Sequence, residues 1–185
     1  MNKDYETINK CRISDSTELV KVLDLGVQPL ANSLKKKQFE AEKKYPLTLS
    51  FCEKSSLLQL NETIKKEILF DKYVWVTSTS STAKNYALTF FKNVTKDIDL
   101  DKTNDLIIEI ASNDGTFLKP FIGGGFKKVL GVDPAKNISE LANKENVKTI
   151  NDYWSEELSE QLLKKYGNAK LVFARNVIPH VSELN

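Results

Sequence analysis

The most regular hydrophobic pattern lies after residue 105, where short apolar runs alternate with amphipathic segments. Residues 106–111 form an apolar, β-branched run that ends in small polar residues, which is typical of a buried parallel strand entering a turn before a helix. The same pattern predicts further strands at 128–133, 147–150 and 170–175, and helices at about 115–121, 136–145 and 155–165. It indicates an α/β fold built on the first half of a doubly wound, Rossmann-like sheet.

The turn after the first of these strands favours a particular class of ligand. Strand 128–133 ends at Asp133, about twenty residues after this turn. At this spacing α/β folds place a carboxylate on a ribose hydroxyl. Ala111 and Asn113 occupy positions that are glycines in dinucleotide enzymes, so a pyrophosphate could not approach the backbone closely. A ligand with adenosine but no phosphates therefore fits better, and a nicotinamide-dependent oxidoreductase is disfavoured. An N-cap for the following helix is the alternative role of Asp133.

The preceding part of the chain predicts a smaller module and a linking helix. Short strands are expected at 20–25, 47–51 and 57–60, and an amphipathic helix from an N-cap near Ser80 to about Val94. The glycines at 123–125 are expected to break the first helix of the second part in a turn, and Gly167 to be the C-cap of the third helix. We divide the chain into a β-rich domain at 1–70, a loop and helix at 71–104, and the partial sheet domain at 105–185.

Composition excludes several classes of protein. The chain has 185 residues, of which 41% are hydrophobic, and a net charge of +2 that is too balanced to indicate nucleic-acid binding. No run of about 18 apolar residues or apolar signal segment is present, so we predict no membrane span and a cytoplasmic location.

Five separated motifs carry a resemblance to a known family. In chain order they are Asp24–Asn32, Tyr45–Leu49, Tyr73–Ser80, Glu109–Gly115 and Ala174–Val181. They resemble the N-terminal portion of nucleotide-sugar C-methyltransferases that use S-adenosylmethionine (SAM) and carry an N-terminal zinc-binding domain. The resemblance implies a SAM-dependent methyltransferase that acts on a nucleotide-linked keto-deoxysugar.

The resemblance also assigns site residues. It implies cofactor contacts from seven positions: Glu109, Ala111, Asn113, Gly115, Asp133, Asp152 and Asn176. In this assignment Gly115 and Ala111 let the turn approach the methionine part of SAM, Asp133 accepts both ribose hydroxyls, and Asp152 or the adjacent Tyr153 contacts adenine.

Two further residues are implied near the sugar. C-methylation needs a base that removes an acidic C–H proton and a group that stabilises the oxyanion. Tyr73 and His180 match family residues in this region, although the main base of the family lies beyond residue 185. The alternatives are an aromatic hinge for Tyr73 and a structural role for His180.

The cysteines predict no metal site. In the family, Cys11 and Cys52 would each begin a C-x-x-C pair that holds zinc, but Ser14 and Ser55 replace the second members. A serine hydroxyl is a poor zinc ligand beside a thiolate, so we expect two thiols packed as small hydrophobic side chains. Without zinc, packing against the next domain is expected to stabilise the module.

Strand 170–175 is the last strand expected before residue 185. A complete methyltransferase sheet needs further strands, so we expect either self-association or a partner chain that pairs with this edge. The alternative function is a non-catalytic or regulatory subunit that binds SAM or a partner without methyl transfer.

Overall fold

The structure is a computed structural model that describes residues 4–181. Contacts divide the chain into two units. The first holds the described residues up to Leu69 together with His180 and Val181, and the second holds Phe70–Pro179.

The first unit is built of antiparallel strands. The strands are β1 (Tyr5–Thr7), β2 (Val20–Pro29), β3 (Lys44–Cys52), β4 (Leu57–Leu60) and β5 (Glu62–Ile64). Helix α1 (Lys66–Phe70) follows, and its last residue is the first of the second unit. Strand β3 lies between β2 and β4, while β1 pairs with β5. The two longest strands extend beyond the ranges predicted for them, because β2 and β3 remain paired from Val20–Phe51 to Pro29–Lys44 through two register shifts.

The second unit alternates helices and strands. Its elements are α2 (Ser81–Asp97), β6 (Leu106–Ile110), α3 (Lys119–Gly123), β7 (Lys128–Val132), α4 (Lys136–Lys144), β8 (Thr149–Ile150), α5 (Glu156–Tyr166) and β9 (Ala169–Ala174). The N-cap predicted for α2 is confirmed, because Ser80 Oγ accepts a hydrogen bond from the Ala83 N–H at 3.2 Å. The predicted Gly167 C-cap of α5 is also confirmed.

The four strands of this unit form one parallel sheet in the order β8-β7-β6-β9. In chain order this is third, second, first, fourth, which corresponds to the first four strands of the doubly wound arrangement. The predicted α/β fold with a parallel sheet is therefore confirmed. In folds of this kind ligands bind at the carboxyl ends of the strands next to the first strand, here β6, because the following strands add on one side of it and then on the other.

Each face of this sheet has its own apolar cluster. Alternate residues of β6 point to opposite faces, so Ile107 packs with α3 and with α2 aromatic residues, while Leu106 and Ile108 pack with α5. The first cluster includes five neighbouring phenylalanines, namely Phe90, Phe91, Phe121, Phe126 and Phe173. Burial of β6 on both faces explains its continuous apolar sequence.

Several predicted boundaries were wrong. Helix α3 begins at Lys119 rather than near residue 115, because residues 111–118 form a turn held by side chains. The glycines at 123–125 do break this helix as predicted, because α3 ends at Gly123 and the chain turns at Gly125, whose φ is +93°. Helix α2 continues three residues past Val94, and the strand predicted at 147–150 is paired only at Thr149–Ile150.

Candidate functional site

The turn between β6 and α3 is the centre of the site. Ala111, Asn113 and Gly115 all have positive φ, at 52°, 51° and 72°. Left-handed conformations are uncommon for residues other than glycine, and they accumulate where a loop is shaped for a function. This turn lies at the carboxyl edge of the sheet, beside the parallel strand β7.

Gly115 is required at its position for two reasons. Its φ of +72° is readily adopted only by glycine, and a Cβ atom there would collide with the side chain of Val147. The turn is thus packed directly on Val147, which lies two residues before β8. A side chain at residue 115 would have to displace either this turn or the segment that contains Val147.

Asp114 fixes the second half of the turn. Its side chain is fully buried, and its Oδ1 accepts hydrogen bonds from Thr116 Oγ1 at 2.7 Å and from the Thr116 N–H at 3.3 Å. Its Oδ2 accepts a hydrogen bond from the Ser78 N–H at 3.2 Å. These bonds hold residues 114–116 outside the helix, which explains the late start of α3.

Asp133 connects the two strands that form the site. Its Oδ2 accepts a hydrogen bond from the Asn113 N–H at 2.8 Å, and its Oδ1 accepts one from the Ala135 N–H at 2.9 Å. The residue is only 6% exposed, and burial raises the pKa of its carboxyl group while the two N–H groups oppose that shift. Each oxygen retains a second lone pair for another donor.

Asp133 is not the N-cap residue of α4. The residue at that position is Ala135, whose N–H bonds the Asp133 carboxylate from outside the helix. Asn151 reinforces this loop, because its Nδ2 donates to the carbonyl oxygens of Asp133 and Pro134 at 3.0 and 2.8 Å. The carboxylate is therefore oriented before any ligand binds.

Residues 71–79, which we call the strap, are fastened over the ends of β6 and β7. Asn113 Oδ1 accepts a hydrogen bond from the Thr77 N–H at 2.8 Å, and Asn113 Nδ2 donates to the Trp75 carbonyl at 3.0 Å. The Asn113 side chain, predicted to contact the cofactor, is thus engaged with the strap. Its left-handed backbone and its N–H remain parts of the cofactor turn.

Tyr73 is held in the strap by its backbone. Its N–H donates to Asn137 Oδ1 at 3.1 Å, and its carbonyl accepts from Asn137 Nδ2 at 2.8 Å. Its half-buried ring is tilted against Phe70 with centroids 6.4 Å apart. These contacts order the residue, and its role near a sugar stays a prediction.

Glu109 and Arg175 form a partly buried ion pair at the point where β6 meets β9. Arg175 Nε lies 3.7 Å from Glu109 Oε1, and the guanidinium group also covers the ring of Phe117. Burial raises the pKa of Glu109 well above its ordinary value, against the opposing effect of Arg175. Glu109 Oε2 and Arg175 Nε have no hydrogen-bond partner, so both have unused capacity for a polar ligand.

Ser112 contributes a second unsatisfied group in the same turn. Its hydroxyl is buried, has no hydrogen-bond partner and packs on Gly131, where a Cβ atom would collide with it. Gly131 lies opposite Glu109 across the sheet. The absence of a side chain at residue 131 therefore makes the space for Ser112.

The remaining predicted contacts lie after the other two strands. Asp152 is exposed and follows β8; its Oδ1 accepts the Tyr153 N–H at 2.8 Å. The Tyr153 hydroxyl donates to Asp71 Oδ1 at 2.8 Å, so this ring is tied to the strap. Asn176 is exposed, follows β9 and has a φ of +54°.

His180 ends a short 3-10 turn, Ile178–His180, and is exposed. It falls in the first unit, and its proposed catalytic role stays a prediction.

The structure thus brings Glu109, Ala111, Asn113, Gly115 and Asp133 together at one edge of the sheet. Four site residues were not predicted from the sequence, namely Ser112, Asp114, Asn137 and Arg175. Arg175 had a usable signal, since it is the first charged residue after an apolar strand. The other three act through hydrogen bonds or packing that no periodic pattern reveals.

A groove of about 560 Å³ lies between α2 and α3 on another side of the turn. Leu88, Phe91 and Pro120 form an apolar floor, with Lys84 and Lys119 among the polar residues around it. Lys119 is paired with Glu145 at 2.5 Å. The groove includes none of the predicted cofactor residues.

Comparisons with known proteins address the resemblance. Residues 11–70 match a family model described as "Putative zinc binding domain". The chain is 29% identical over 180 residues to the C-methyltransferase NovU of Streptomyces niveus, an alignment that covers 96% of this chain and 42% of NovU. The resemblance to a methyltransferase family is confirmed. The chain spans less than half the length of this curated relative.

Two solved structures match about half of the chain. One is magnesium protoporphyrin IX methyltransferase from Synechocystis PCC 6803 with bound SAM, at 13% identity, a TM-score of 0.40 and coverage of 53% of this chain and 46% of that one. The other is the plantazolicin methyltransferase BpumL in complex with SAH, at 19% identity, a TM-score of 0.33 and coverage of 53% and 52%.

The described residues contain no helix that is both long and apolar enough to cross a membrane.

Proposed function

We propose that the second unit binds SAM and that the chain is part of a SAM-dependent C-methyltransferase. The observation that carries the proposal is Asp133, a buried carboxylate at the end of β7 that is oriented by the N–H groups of Asn113 and Ala135. A strand-end carboxylate next to a turn of this kind suits a ribose. Similarity to NovU, a C-methyltransferase, supports the same proposal.

The turn suits a nucleoside without phosphates. In dinucleotide sites, glycines let a pyrophosphate lie directly on the backbone. Here Ala111 and Asn113 carry side chains at those positions, and Asn113 is bonded to the strap above the turn. The left-handed backbone at Gly115 still allows a close approach, which fits the methionine part of SAM.

Unsatisfied polar atoms fit the polar end of such a ligand. Glu109 Oε2 and Ser112 Oγ are buried without hydrogen-bond partners in the strand and turn that precede Gly115. An ammonium or hydroxyl donor would satisfy the Glu109 carboxylate, while the Arg175 N–H beside it would donate to a carboxylate of the ligand. Bound SAM would supply a methyl group on a positively charged sulfur.

We further propose a nucleotide-linked keto-deoxysugar as the substrate. Carbon methylation requires the chain to take a proton from a carbon next to a carbonyl and to hold the resulting oxyanion. Tyr73 and His180 are our proposed contributors, on the basis of the motifs Tyr73–Ser80 and Ala174–Val181. Asp152 and Asn176 are proposed as outer contacts of the cofactor.

The free side of β9 favours the addition of another strand. Among the described residues β9 pairs only with β6, and Val172 is 48% exposed. We propose that a second copy of the chain or a partner pairs with this edge. Light scattering over a wide concentration range should show association. A monomer at every concentration, with slow hydrogen exchange at the outward N–H groups of β9, would contradict it.

Calorimetric titration tests the cofactor proposal. SAM and its demethylated product should bind with one site per chain, and NAD should not bind. A methyl-transfer assay with candidate nucleotide sugars, alone and with a partner chain, then separates an enzyme from a non-catalytic SAM-binding subunit. Binding of NAD but not SAM would overturn the proposal.

A further inference from the structure

Four side chains of the first unit meet at one place although they come from two distant segments. Cys11 Sγ lies 3.1 Å from Ser55 Oγ, and Ser14 Oγ lies 3.5 Å from Cys52 Sγ. The pairs are therefore crossed, so that the thiol of each segment contacts the hydroxyl of the other. Both cysteines are fully buried.

The two segments that carry these residues are turns of the same form. In each, a cysteine is followed three residues later by a serine, and the next residue has positive φ: Asp15 at 54° and Ser56 at 57°. In the first turn, the N–H groups of Ile13 and Ser14 point at Cys11 Sγ at 3.5 and 3.4 Å.

Zinc does not fit the donors present. The matched family model, which begins at residue 11, is described as zinc binding. Structural zinc takes four ligands from thiolates, imidazoles and carboxylates, whereas these turns supply only two cysteine sulfurs, and the other two groups are neutral hydroxyls. The described residues contain no group of three or more His, Cys, Asp or Glu that could hold a metal. In addition, the 3.1 Å contact is shorter than the roughly 3.5 Å between a sulfur and an oxygen bound to one tetrahedral zinc.

We propose that Cys11, Ser14, Cys52 and Ser55 form a metal-free clasp that takes the place of a structural zinc ion. Its crossed contacts join turns that are about 40 residues apart in the chain. The clasp lies where β3 ends, so it fixes the start of β3–β4 pairing at Cys52–Leu57 against the first turn. The stability of the first unit therefore does not depend on a metal.

Because the side chains converge as four ligands would, restoring the thiols should restore zinc binding. The double variant S14C/S55C, purified under reducing conditions, should contain about one zinc per chain, whereas the parent should contain almost none. The control S14C/S33C has the same number of thiols, but Ser33 is an exposed loop residue, so this variant should not retain stoichiometric zinc.

Chelation provides the second readout. EDTA should lower the melting temperature of S14C/S55C and leave that of the parent unchanged. Stoichiometric, chelator-sensitive zinc in the parent would overturn the proposal, and so would equal zinc contents in S14C/S55C and S14C/S33C.

The clasp itself is tested by Ser55→Ala, which removes the partner of Cys11. Hydrogen exchange should become faster for the N–H groups at the Cys52–Leu57 end of the β3–β4 pair, with no dependence on EDTA. Ser33→Ala, which changes an exposed residue, should leave these rates as in the parent. Unchanged exchange in Ser55→Ala would show that the hydroxyl does not support the unit.

Discussion

The N–H of Asn113 donates to Asp133 Oδ2 at 2.8 Å, and this bond joins the ends of two neighbouring parallel strands. The same residue binds the strap through its side chain, to Trp75 and Thr77. One asparagine in the left-handed conformation thus orients the Asp133 carboxylate, which we propose binds ribose, through its backbone N–H, and it holds the strap through its side chain. The geometry of the site depends on this connection.

Removing the Asn113 side chain should loosen the strap. Asn113→Ala deletes two hydrogen bonds to residues 75 and 77, which are worth about 0.5–1.5 kcal/mol each. The Thr77 N–H should exchange faster, while the sheet stays protected. Asn93→Ala is the control, because Asn93 is exposed on α2. Equal exchange of Thr77 in both variants would show that the strap is held by other contacts.

Gly115→Ala should destabilise the second unit by about 1–3 kcal/mol, since it combines a collision at Val147 with a positive φ. Gly123→Ala is the matched control, because a Cβ atom at residue 123 would meet nothing within 4 Å. Denaturant unfolding measures both effects.

The double variant G115A/V147A separates the two causes. It should recover the part of the loss that comes from the collision at Val147, apart from the cost of shortening that buried side chain. The effect of φ should remain. An unchanged free energy of unfolding in Gly115→Ala would mean that the turn is not packed as described.

The burial of Glu109 predicts how stability depends on pH. Its pKa is raised above the ordinary 4.5 in the folded state, so the folded chain binds the proton more tightly than the unfolded chain does. This contribution to stability is fully present below about pH 4.5 and is lost as the pH rises through the raised folded value. The free energy of unfolding of Glu109→Gln should therefore decline less steeply than that of the parent as the pH rises over this interval.

Unfolding curves at a series of pH values test this expectation. Glu140→Gln, at an exposed position of α4, is the control and should follow the parent. A Glu109→Gln profile that matches the parent would show that the Glu109 carboxyl is not the group responsible.

The sequence predicted the parallel sheet because its strands are buried on both faces and read as continuous apolar runs, as at Leu106–Ile110 and Lys128–Val132. It predicted Asp133 because strand ends are marked by an abrupt change to polar residues. The start of α3 was wrong because the bonds between Thr116 and the Asp114 side chain override the local helical pattern.

Other features depend on contacts between distant residues. The bonds between Asn137 and Tyr73 join residues 64 apart, and the Glu109–Arg175 pair depends on the pairing of β6 with β9. The crossed thiol and hydroxyl pairs of the clasp could not be predicted either, since the sequence shows only that serines stand at two positions where the family has cysteines. The roles of Tyr73 and His180 stay predictions, because they concern contacts with the sugar substrate and not contacts within the chain.

The affinity of the Asp133→Ala variant for SAM is the most direct test of the proposed SAM site. The substitution removes the acceptor proposed for the ribose hydroxyls, and calorimetry should show binding weakened by about 2–4 kcal/mol relative to the parent. Glu140→Gln should bind as the parent does, and circular dichroism should show that each variant is folded. SAM affinity in folded Asp133→Ala equal to that of the parent would contradict the assignment of this site.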